Sequence, residues 1–354
     1  MVTSTRKLRV LIVDDSAIVR RILTETLSSE PDIEVVGSAP NPFEARDMIL
    51  ALKPDVLTLD IEMPRMDGVS FLKALMLHHP LPVVMISSVA RHSAAIAMDA
   101  LEAGAVEVVT KPNGPYSVGD LKLTLASKVR AAGQAKLRLP TSQKPASPLR
   151  AKSSGAGPSR PIIAIGASTG GTEAIRAILE QFPEQSPPIV IVQHIPAGFS
   201  RAFADRLNRT CSIQVREAED GDMLVPGLAL VAPGDRHMLI RQGATGLKVQ
   251  IKNGPPVCYQ RPSVDVLFQS VAEAIGAKAI GVILTGMGRD GARGLLSMRE
   301  AGAHTMAQDG KSCVVYGMPK EAIRINAACR TLPLDEIAAA ILASVRTNPT
   351  TVRQ

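Results

Sequence analysis

A serine enclosed by glycines lies directly after an apolar run in the second half of the chain. Residues 162–171 read IIAIGASTGG and place Ser168 between Gly166 and Gly170 in a G-x-S-x-G pattern. A buried strand that leads into glycines and then a helix is common to phosphate-binding loops and to nucleophile turns. This stretch lacks both the lysine and the glycine spacing of a phosphate loop. The pattern therefore favours a nucleophilic serine on a tight turn, with an ordinary turn or helix-cap serine as the alternative.

A nucleophilic serine needs a base and a carboxylate that orients the base. His194 is the best placed of the six histidines, because it follows the next apolar strand, PIVIVQ, and so reaches the same sheet edge as Ser168. Asp290 lies in a glycine-rich loop just past a later strand, AIGVIL. The order Ser, His, Asp differs from that of the α/β-hydrolases, but a triad is defined by its geometry. Each residue alone also has a structural interpretation.

A loop near Asp290 could supply the donors that acyl transfer requires. The loop Thr285–Gly288 reads TGMG and could turn a backbone N–H toward the reacting carbonyl oxygen, beside the amides that follow Ser168. Such donors stabilise a transition state by on the order of 3 kcal/mol each. The alternative is an ordinary glycine-rich turn in which Met287 is a core or rim hydrophobe.

A second set of polar residues follows apolar runs in the first half. Asp14 and Asp15 come after LRVLIV, and Asp60 ends VLTLD. Three converging carboxylates would repel one another, so the arrangement needs a cation, and all-oxygen ligands suit Mg²⁺. Ser87 and Lys111 end two further strands at the same edge, which predicts a site that accepts a phosphoryl group on one carboxylate. Each aspartate alone could instead be a helix N-cap.

The elements that must position these residues are apolar runs alternating with helix-like stretches. In the first half, five strands alternating with five helices predict a parallel sheet covered on both faces. A second open α/β sheet, mostly parallel, is predicted in the second half from five apolar strands, PIIAIGAS, PIVIVQHIP, GLALVAPG, AIGVILTGMG and AHTMAQD. The predicted helices are Ala17–Ser29, Pro42–Leu52, Gly68–His78, Ala94–Ala103, Gly171–Gln181, Ser200–Arg209, Val264–Ile275 and Gly291–Ala301.

The segment between the two halves predicts the domain boundaries. Residues 131–160 are rich in Pro, Ser, Ala and Lys and have no sustained apolar period, which indicates a flexible basic linker between domains at 1–130 and 161–348. The chain carries a formal charge of +7, but residues 121–160 contain nine Lys or Arg and no Asp or Glu, so the remainder carries −2. The basicity belongs to this segment and gives no reason to expect nucleic acid as a partner.

Composition and hydropathy limit the classes of protein to which the chain can belong. No apolar run reaches the roughly 18 residues of a membrane span, and the N-terminus has a buried-strand pattern where a signal peptide would carry small residues. We therefore expect a cytoplasmic protein without membrane insertion. The absence of Trp and the presence of only three Tyr argue against stacking platforms for single-stranded nucleic acid.

The first half resembles a response-regulator receiver domain over residues 6–130. The resemblance rests on the DD pair, D-x-x-M-P-x-M-D-G from Asp60 and T-K-P around Lys111. It implies a flavodoxin-like fold in which Asp60 is the phosphoacceptor and Asp14, Asp15 and Asp60 bind Mg²⁺. It also implies that Ser87 is the switch hydroxyl and Lys111 the phosphoryl contact. Val108 stands where many receivers carry a switch aromatic, which bears on rotamer-flip signalling and not on phosphorylation.

The second half resembles the chemotaxis protein-glutamate methylesterase (CheB) family. The motifs are GASTGG, QHIPAGFSRAFADRLN, VAPGDRHM, RPSVDVLF, ILTGMGRDGARGL and SCVVYGMPKEA. The resemblance implies Ser168 as nucleophile, His194 as general base, Asp290 as its orienter and the Met287 amide in the oxyanion hole, with no cofactor for the esterase reaction. Gly310 replaces the more usual acidic residue after AQD, so we expect a different rim charge and little effect on chemistry.

The family implies a function and partners. It hydrolyses γ-glutamyl methyl esters on the cytoplasmic helices of chemoreceptors, releases methanol and in some members deamidates glutamine. A histidine kinase of the CheA type would phosphorylate Asp60, and we expect the unphosphorylated receiver to pack over the catalytic rim. Two alternatives are a receiver-coupled DNA regulator, disfavoured by near-neutral folded halves and no recognisable helix-turn-helix, and a scaffold with a silent triad.

Overall fold

The structure is a computed structural model that describes residues 6–88, 90–111, 117–137 and 161–347. The chain forms two compact units, Met1–Ser142 and Gln143–Gln354. Most of the predicted linker, residues 138–160, lies outside the described residues. The linker assignment begins at residue 131, but the last helix of the first unit continues to Gly133. Ala131 and Ala132 are buried, so packing against the unit extends this helix.

The first unit is a five-stranded parallel sheet with strand order β2-β1-β3-β4-β5. Three of its predicted helices begin at the predicted residue, while the helix expected at Ala94 begins at Arg91. The observed elements are β1 (Leu8–Val13), α1 (Ala17–Ser28), β2 (Ile33–Ala39), α2 (Pro42–Leu52), β3 (Val56–Asp60), α3 (Gly68–His78), β4 (Val83–Ser87), α4 (Arg91–Glu102), β5 (Glu107–Thr110) and α5 (Ser117–Gly133).

The second unit contains a larger parallel sheet and a separate antiparallel hairpin. Its elements are β6 (Ile162–Ala167), α6 (Gly171–Leu179), β7 (Ile189–Gln193), α7 (Phe199–Thr210), β8 (Gln214–Glu217), β9 (Leu228–Val231), β10 (His237–Gly243), β11 (Gly246–Lys252), α8 (Val264–Ile275), β12 (Ala279–Ile283), α9 (Ala292–Glu300), β13 (His304–Gln308), α10 (Met318–Arg324), β14 (Arg330–Leu332) and α11 (Leu334–Thr347). Seven strands form the sheet in the order β14-β13-β12-β6-β7-β9-β8, and β10 and β11 form the hairpin.

The structure confirms two mostly parallel α/β sheets and adds elements that the sequence pattern does not reveal. The predicted second sheet has five strands, and the observed sheet gains β8 and β14 at its edges. These edge strands are four and three residues long and partly exposed, so they lack a sustained apolar run. No helix of the described residues is long and apolar enough to cross a membrane.

Helices α8 and α9 pack tightly beside the sheet of the second unit. The N-cap of α8 is Ser263, and the helix buries Val264, Leu267, Phe268 and Val271. At the closest approach, the amide of Gly294 on α9 donates a 2.7 Å hydrogen bond to Asp265 Oδ1. A Cβ atom at residue 294 would lie 2.8 Å from the carbonyl oxygen of Asp265, so only glycine allows this approach. The start of α8 is therefore fixed by α9.

We expect Gly294→Ala to destabilise the second unit. The added methyl group collides with the backbone of α8, and overpacking of this kind costs about 1–3 kcal/mol. The free energy of unfolding of the full chain, measured with denaturant, should fall by this amount, while Glu300→Ala at the exposed end of the same helix should change it little. Equal stability of the two variants would contradict the tight packing.

Candidate functional site

Three neighbouring strands of the second sheet carry the predicted triad at their carboxyl ends. Strands β12, β6 and β7 lie side by side. Ser168 follows β6 directly, His194 follows β7 directly, and Asp290 lies in the loop between β12 and α9. All three residues are buried. A parallel sheet therefore brings residues 26 to 122 positions apart in the chain to one edge.

His194 and Asp290 are in direct contact. Nε2 of His194 lies 2.7 Å from Oδ2 of Asp290, and both side chains are almost completely buried. Nδ1 of His194 is buried too and has no hydrogen bond to any described residue. Because an ionised carboxylate only accepts hydrogen bonds, the contact assigns the ring proton of neutral His194 to Nε2. The lone pair of Nδ1 is then left to accept a proton.

The first turn of α8 holds the Asp290 carboxylate. Oδ1 accepts hydrogen bonds from Ser263 Oγ at 2.7 Å and from the Asp265 amide at 3.1 Å, and Oδ2 accepts one from the Val264 amide at 2.7 Å. A helix N-terminus stabilises an anion through these free amides and its dipole. Burial alone would raise the pKa of Asp290, but the contact with His194 and these hydrogen bonds outweigh it and lower the pKa. Asp290 is thus held as an anion.

Hydrogen bonds to its backbone fix the turn that carries Ser168. The Ser168 amide donates to the carbonyl of Thr285 at 3.0 Å. Its carbonyl accepts from the amide of Gly171 at 2.7 Å and from Nε2 of the buried Gln193 side chain at 2.8 Å. Ser168 Oγ forms no hydrogen bond within the described parts of the chain, so the structure does not join it to His194. Nucleophile-base hydrogen bonds are often long without substrate and shorten when it binds.

The glycine-rich loop after β12 packs directly on the nucleophile. A Cβ atom at Gly286 would lie 2.6 Å from Ser168 Cβ, so only glycine permits this contact. The carbonyl of Gly286 accepts hydrogen bonds from the amides of Gly317 and Met318, which hold the loop. The Met287 amide donates no hydrogen bond to the described residues. It is therefore available to a developing oxyanion beside Ser168.

Sequence reasoning missed the residues that support the triad. His237 is buried, and its Nε2 lies 3.0 Å from the carbonyl oxygen of Pro255 while its Nδ1 accepts from the Ser263 amide at 3.2 Å. These bonds define His237 as the neutral Nε2–H tautomer and fix the entry into α8. Ser263 was recognisable as a serine before an apolar helical run. Nothing in the sequence indicated that Ser263 bonds His237 and Asp290.

The first unit brings its predicted site residues together at the carboxyl edge of its sheet. Lys111 Nζ lies 2.7 Å from Asp60 Oδ2 and 3.2 Å from Asp14 Oδ2. Carboxylate oxygens of Asp14, Asp15 and Asp60 all lie within 4.8 Å of one another. Asp14 and Asp60 are buried and Asp15 is exposed, so the cluster opens to solvent on one side. Ser87 ends the adjacent strand β4 and is buried.

The charges of this cluster fit a divalent cation. Burial raises the pKa of Asp60 to about 6, and the charge of Asp14 adds to this rise although Lys111 opposes it. Burial raises the pKa of Asp14 as well. Asp14 Oδ2 is buried, and its ion-pair partner among the described residues is Lys111, which also contacts Asp60. One lysine thus leaves excess negative charge on three carboxylates, which suits Mg²⁺.

Together the two units define a class of protein. A carboxylate cluster with a lysine at the carboxyl edge of the first sheet fits a site that accepts a phosphoryl group. A Ser-His-Asp arrangement with an available loop amide indicates acyl transfer through a serine. The class is therefore a hydrolase unit joined to a receiver unit.

Comparisons with known proteins agree with this class. Residues 163–341 match the CheB methylesterase family and residues 10–119 match the response regulator receiver domain. The chain is 55% identical to a protein-glutamate methylesterase/protein-glutamine glutaminase of Syntrophus aciditrophicus (strain SB), over 96% of this chain and 99% of that protein. It is 51% identical to the protein of the same name in Escherichia coli (strain K12), over 96% and 97%.

A solved structure agrees as well. The crystal structure of the Thermotoga maritima CheB methylesterase catalytic domain is 37% identical with a TM-score of 0.52, covering 52% of this chain and 99% of that chain. The chain belongs to the CheB methylesterase family.

We expect Asp290→Asn to destabilise the protein at neutral pH. The folded-state pKa of Asp290 lies below its unfolded value of about 3.9, so the ionised carboxylate stabilises the fold above that value. This contribution is lost as the pH falls through the folded-state pKa. Thermal unfolding should therefore show a lower midpoint for the variant at neutral pH and a smaller difference in acid.

Asp205→Asn is the matched control, because Asp205 is exposed in the same unit. Its unfolding midpoint should follow that of the wild type at every pH. An Asp290→Asn variant as stable as the wild type at neutral pH would contradict the role given to the α8 N-terminus.

Proposed function

We propose that the protein is a phosphorylation-regulated protein-glutamate methylesterase that acts on cytoplasmic chemoreceptor helices and also deamidates receptor glutamines. The observation that carries the proposal is the buried His194–Asp290 pair beside Ser168. The curated relatives carry both activities in their names. Ester and amide substrates share one acyl intermediate, so one triad serves both reactions.

We propose one step of the reaction for each residue, and the geometry supports these roles. Ser168 Oγ attacks the γ-carbonyl carbon of the esterified glutamate while His194 Nδ1 accepts the hydroxyl proton. Asp290 stabilises the imidazolium, and the Met287 N–H binds the oxyanion. The intermediate collapses, His194 protonates the leaving methoxide, and methanol departs. Water then attacks the acyl-enzyme with His194 as base, which releases glutamate and restores Ser168.

The same steps account for deamidation. With a glutamine substrate, Ser168 attacks the side-chain amide carbon and His194 protonates the leaving nitrogen, so that ammonia departs in place of methanol. The acyl-enzyme is identical, and its hydrolysis again gives glutamate. The two activities should therefore depend equally on Ser168.

We also propose that the first unit controls the second. Asp60 accepts the phosphoryl group from a histidine kinase of the CheA type, and Lys111 and Ser87 then contact its oxygens. Asp14, Asp15 and Asp60 would hold Mg²⁺, which neutralises the charge of the carboxylates and of the phosphoryl group. The unphosphorylated receiver lowers the activity of the catalytic unit, and phosphorylation relieves this inhibition. The partners place the reaction in the cytoplasm.

Ser168→Ala should abolish methanol release from methylated receptor membranes. Removal of the nucleophile from a triad lowers kcat by at least about 10⁴-fold. Ser297→Ala is the matched control, since Ser297 only bonds the backbone of its own helix α9. Methanol release at wild-type rate by Ser168→Ala, with its fold intact by circular dichroism, would refute the triad.

Asp60→Asn should remove the response to phosphorylation and leave basal activity. Acetyl phosphate with Mg²⁺ should raise methanol release by the wild type and by the control Asp47→Asn, whose carboxylate is exposed in the same unit. Neither reagent should affect Asp60→Asn. Stimulation of that variant, or no stimulation of the wild type by acetyl phosphate, would contradict the proposed control.

A further inference from the structure

A strained reverse turn lies between the hairpin and α8. Val257 and Gln260 exchange two backbone hydrogen bonds of 3.0 and 2.9 Å, so Cys258 and Tyr259 form a two-residue turn. Both central residues have positive φ, 50° and 64°. Turns of this type favour Asn and Gly, and a cysteine or tyrosine there carries backbone strain. A strained conformation persists only where the surroundings enforce it, and such positions are often functional.

Contacts on both sides of the turn enforce its position. The Arg261 guanidinium donates hydrogen bonds to the carbonyl of Gly254 at 2.7 Å and to Asp235 Oδ1. His237 bonds the carbonyl of Pro255, as described above. These anchors tie the two ends of the segment to β10 and to the loop before it. The turn therefore holds Cys258 and Tyr259 in fixed positions.

The turn lies beside the triad. Cys258 Sγ lies 3.9 Å from Asp265 Oδ2. The sulfur and carboxylate oxygens of Asp265 and Asp290 all lie within 4.8 Å of one another. Cys258 therefore points inward at the carboxylate that orients His194. The next residue, Tyr259, points outward and is 89% exposed.

A second tyrosine lies beside the loop that packs on Ser168. Tyr316 pairs through its backbone with Gly286, whose loop packs on Ser168. Its side chain is 38% exposed. A Cβ atom at Gly310 would lie 3.0 Å from the Tyr316 ring, so the ring packs closely on the backbone at Gly310.

We propose that Tyr259 and Tyr316 form an aromatic rim that binds the segment of the substrate protein carrying the modified glutamate. The inference rests on the proposed function and adds determinants of protein-substrate affinity. The triad contacts only the side chain that reacts. The rest of a rigid substrate helix must therefore be bound by residues outside the triad. Tyrosine supplies large contact area with little loss of side-chain entropy.

Charge at the same rim suits this occupant. Arg289 directly precedes Asp290 and is exposed. A substrate segment that carries glutamate side chains, and gains a further carboxylate at each turnover, is attracted by such a cation. The occupant is therefore a glutamate-bearing helix of the receptor.

Tyr259→Asn separates the proposed contact from structural effects. Asparagine is better suited than tyrosine to positive φ, so the variant should unfold at the same or a higher temperature than the wild type. KM for methanol release from methylated receptor membranes should rise about tenfold, as expected for loss of an aromatic anchor, with kcat unchanged. Hydrolysis of N-acetylglutamate γ-methyl ester, which is too small to reach the rim, should stay at the wild-type rate.

Two further variants complete the experiment. Tyr316→Ser should raise the same KM and spare the small ester. Val225→Asn should change the hydrolysis rate of neither substrate. Val225 is 46% exposed, but it precedes β9 and so lies at the amino end of the strands, away from the triad.

The outcomes are distinguishable. An unchanged KM for receptors in Tyr259→Asn would overturn the inference, as would an equal loss on receptor and small ester, which would make Tyr259 a support of the triad. A wild-type chain that cleaves the small ester and no receptor would overturn the proposed function, and the inference with it.

Discussion

The buried Asp290 carboxylate is the interaction on which the catalytic unit depends. Oδ2 of this group binds His194, and its two oxygens together accept three hydrogen bonds from the start of α8. The same anion therefore orients His194 and completes the start of a core helix. Because the helix N-terminus compensates the negative charge, the Asp290 carboxylate can remain ionised although it is buried. Catalysis and folding share one electrostatic requirement.

Both units use the carboxyl edge of a parallel sheet, but they satisfy their charges differently. In the catalytic unit, backbone amides and a histidine fully occupy the carboxylate of Asp290. In the receiver unit, Lys111 contacts Asp60 and Asp14, and the cluster retains excess negative charge. The first arrangement is complete and rigid, as an orienting group must be. The second is incomplete, which suits the proposed binding of a cation and a phosphoryl group.

Much of this architecture could be predicted from the sequence. Apolar runs followed by Asp60, Ser168 and His194 predicted the strand ends, because strand period and flanking glycines are local signals. The hairpin β10–β11 and the edge strands were not predicted, because their side chains are half exposed and their pairing depends on tertiary contacts. The partners of Asp290 at the start of α8 were not predicted either, because their contacts also depend on tertiary structure. A carboxylate and the helix it caps lie 25 or more residues apart, and no spacing rule joins them.

The central claim is that Asp290 fixes His194 with its proton on Nε2 and its Nδ1 free for the serine. The direct test is ¹⁵N NMR of the full chain with labelled histidine, with the His194 signals assigned by their absence from His194→Gln. At alkaline pH the account predicts a protonated Nε2 with a strongly downfield proton, an unprotonated Nδ1, and loss of the downfield proton in Asp290→Asn. A neutral His194 with its proton on Nδ1, or a spectrum unchanged by Asp290→Asn, would contradict the account.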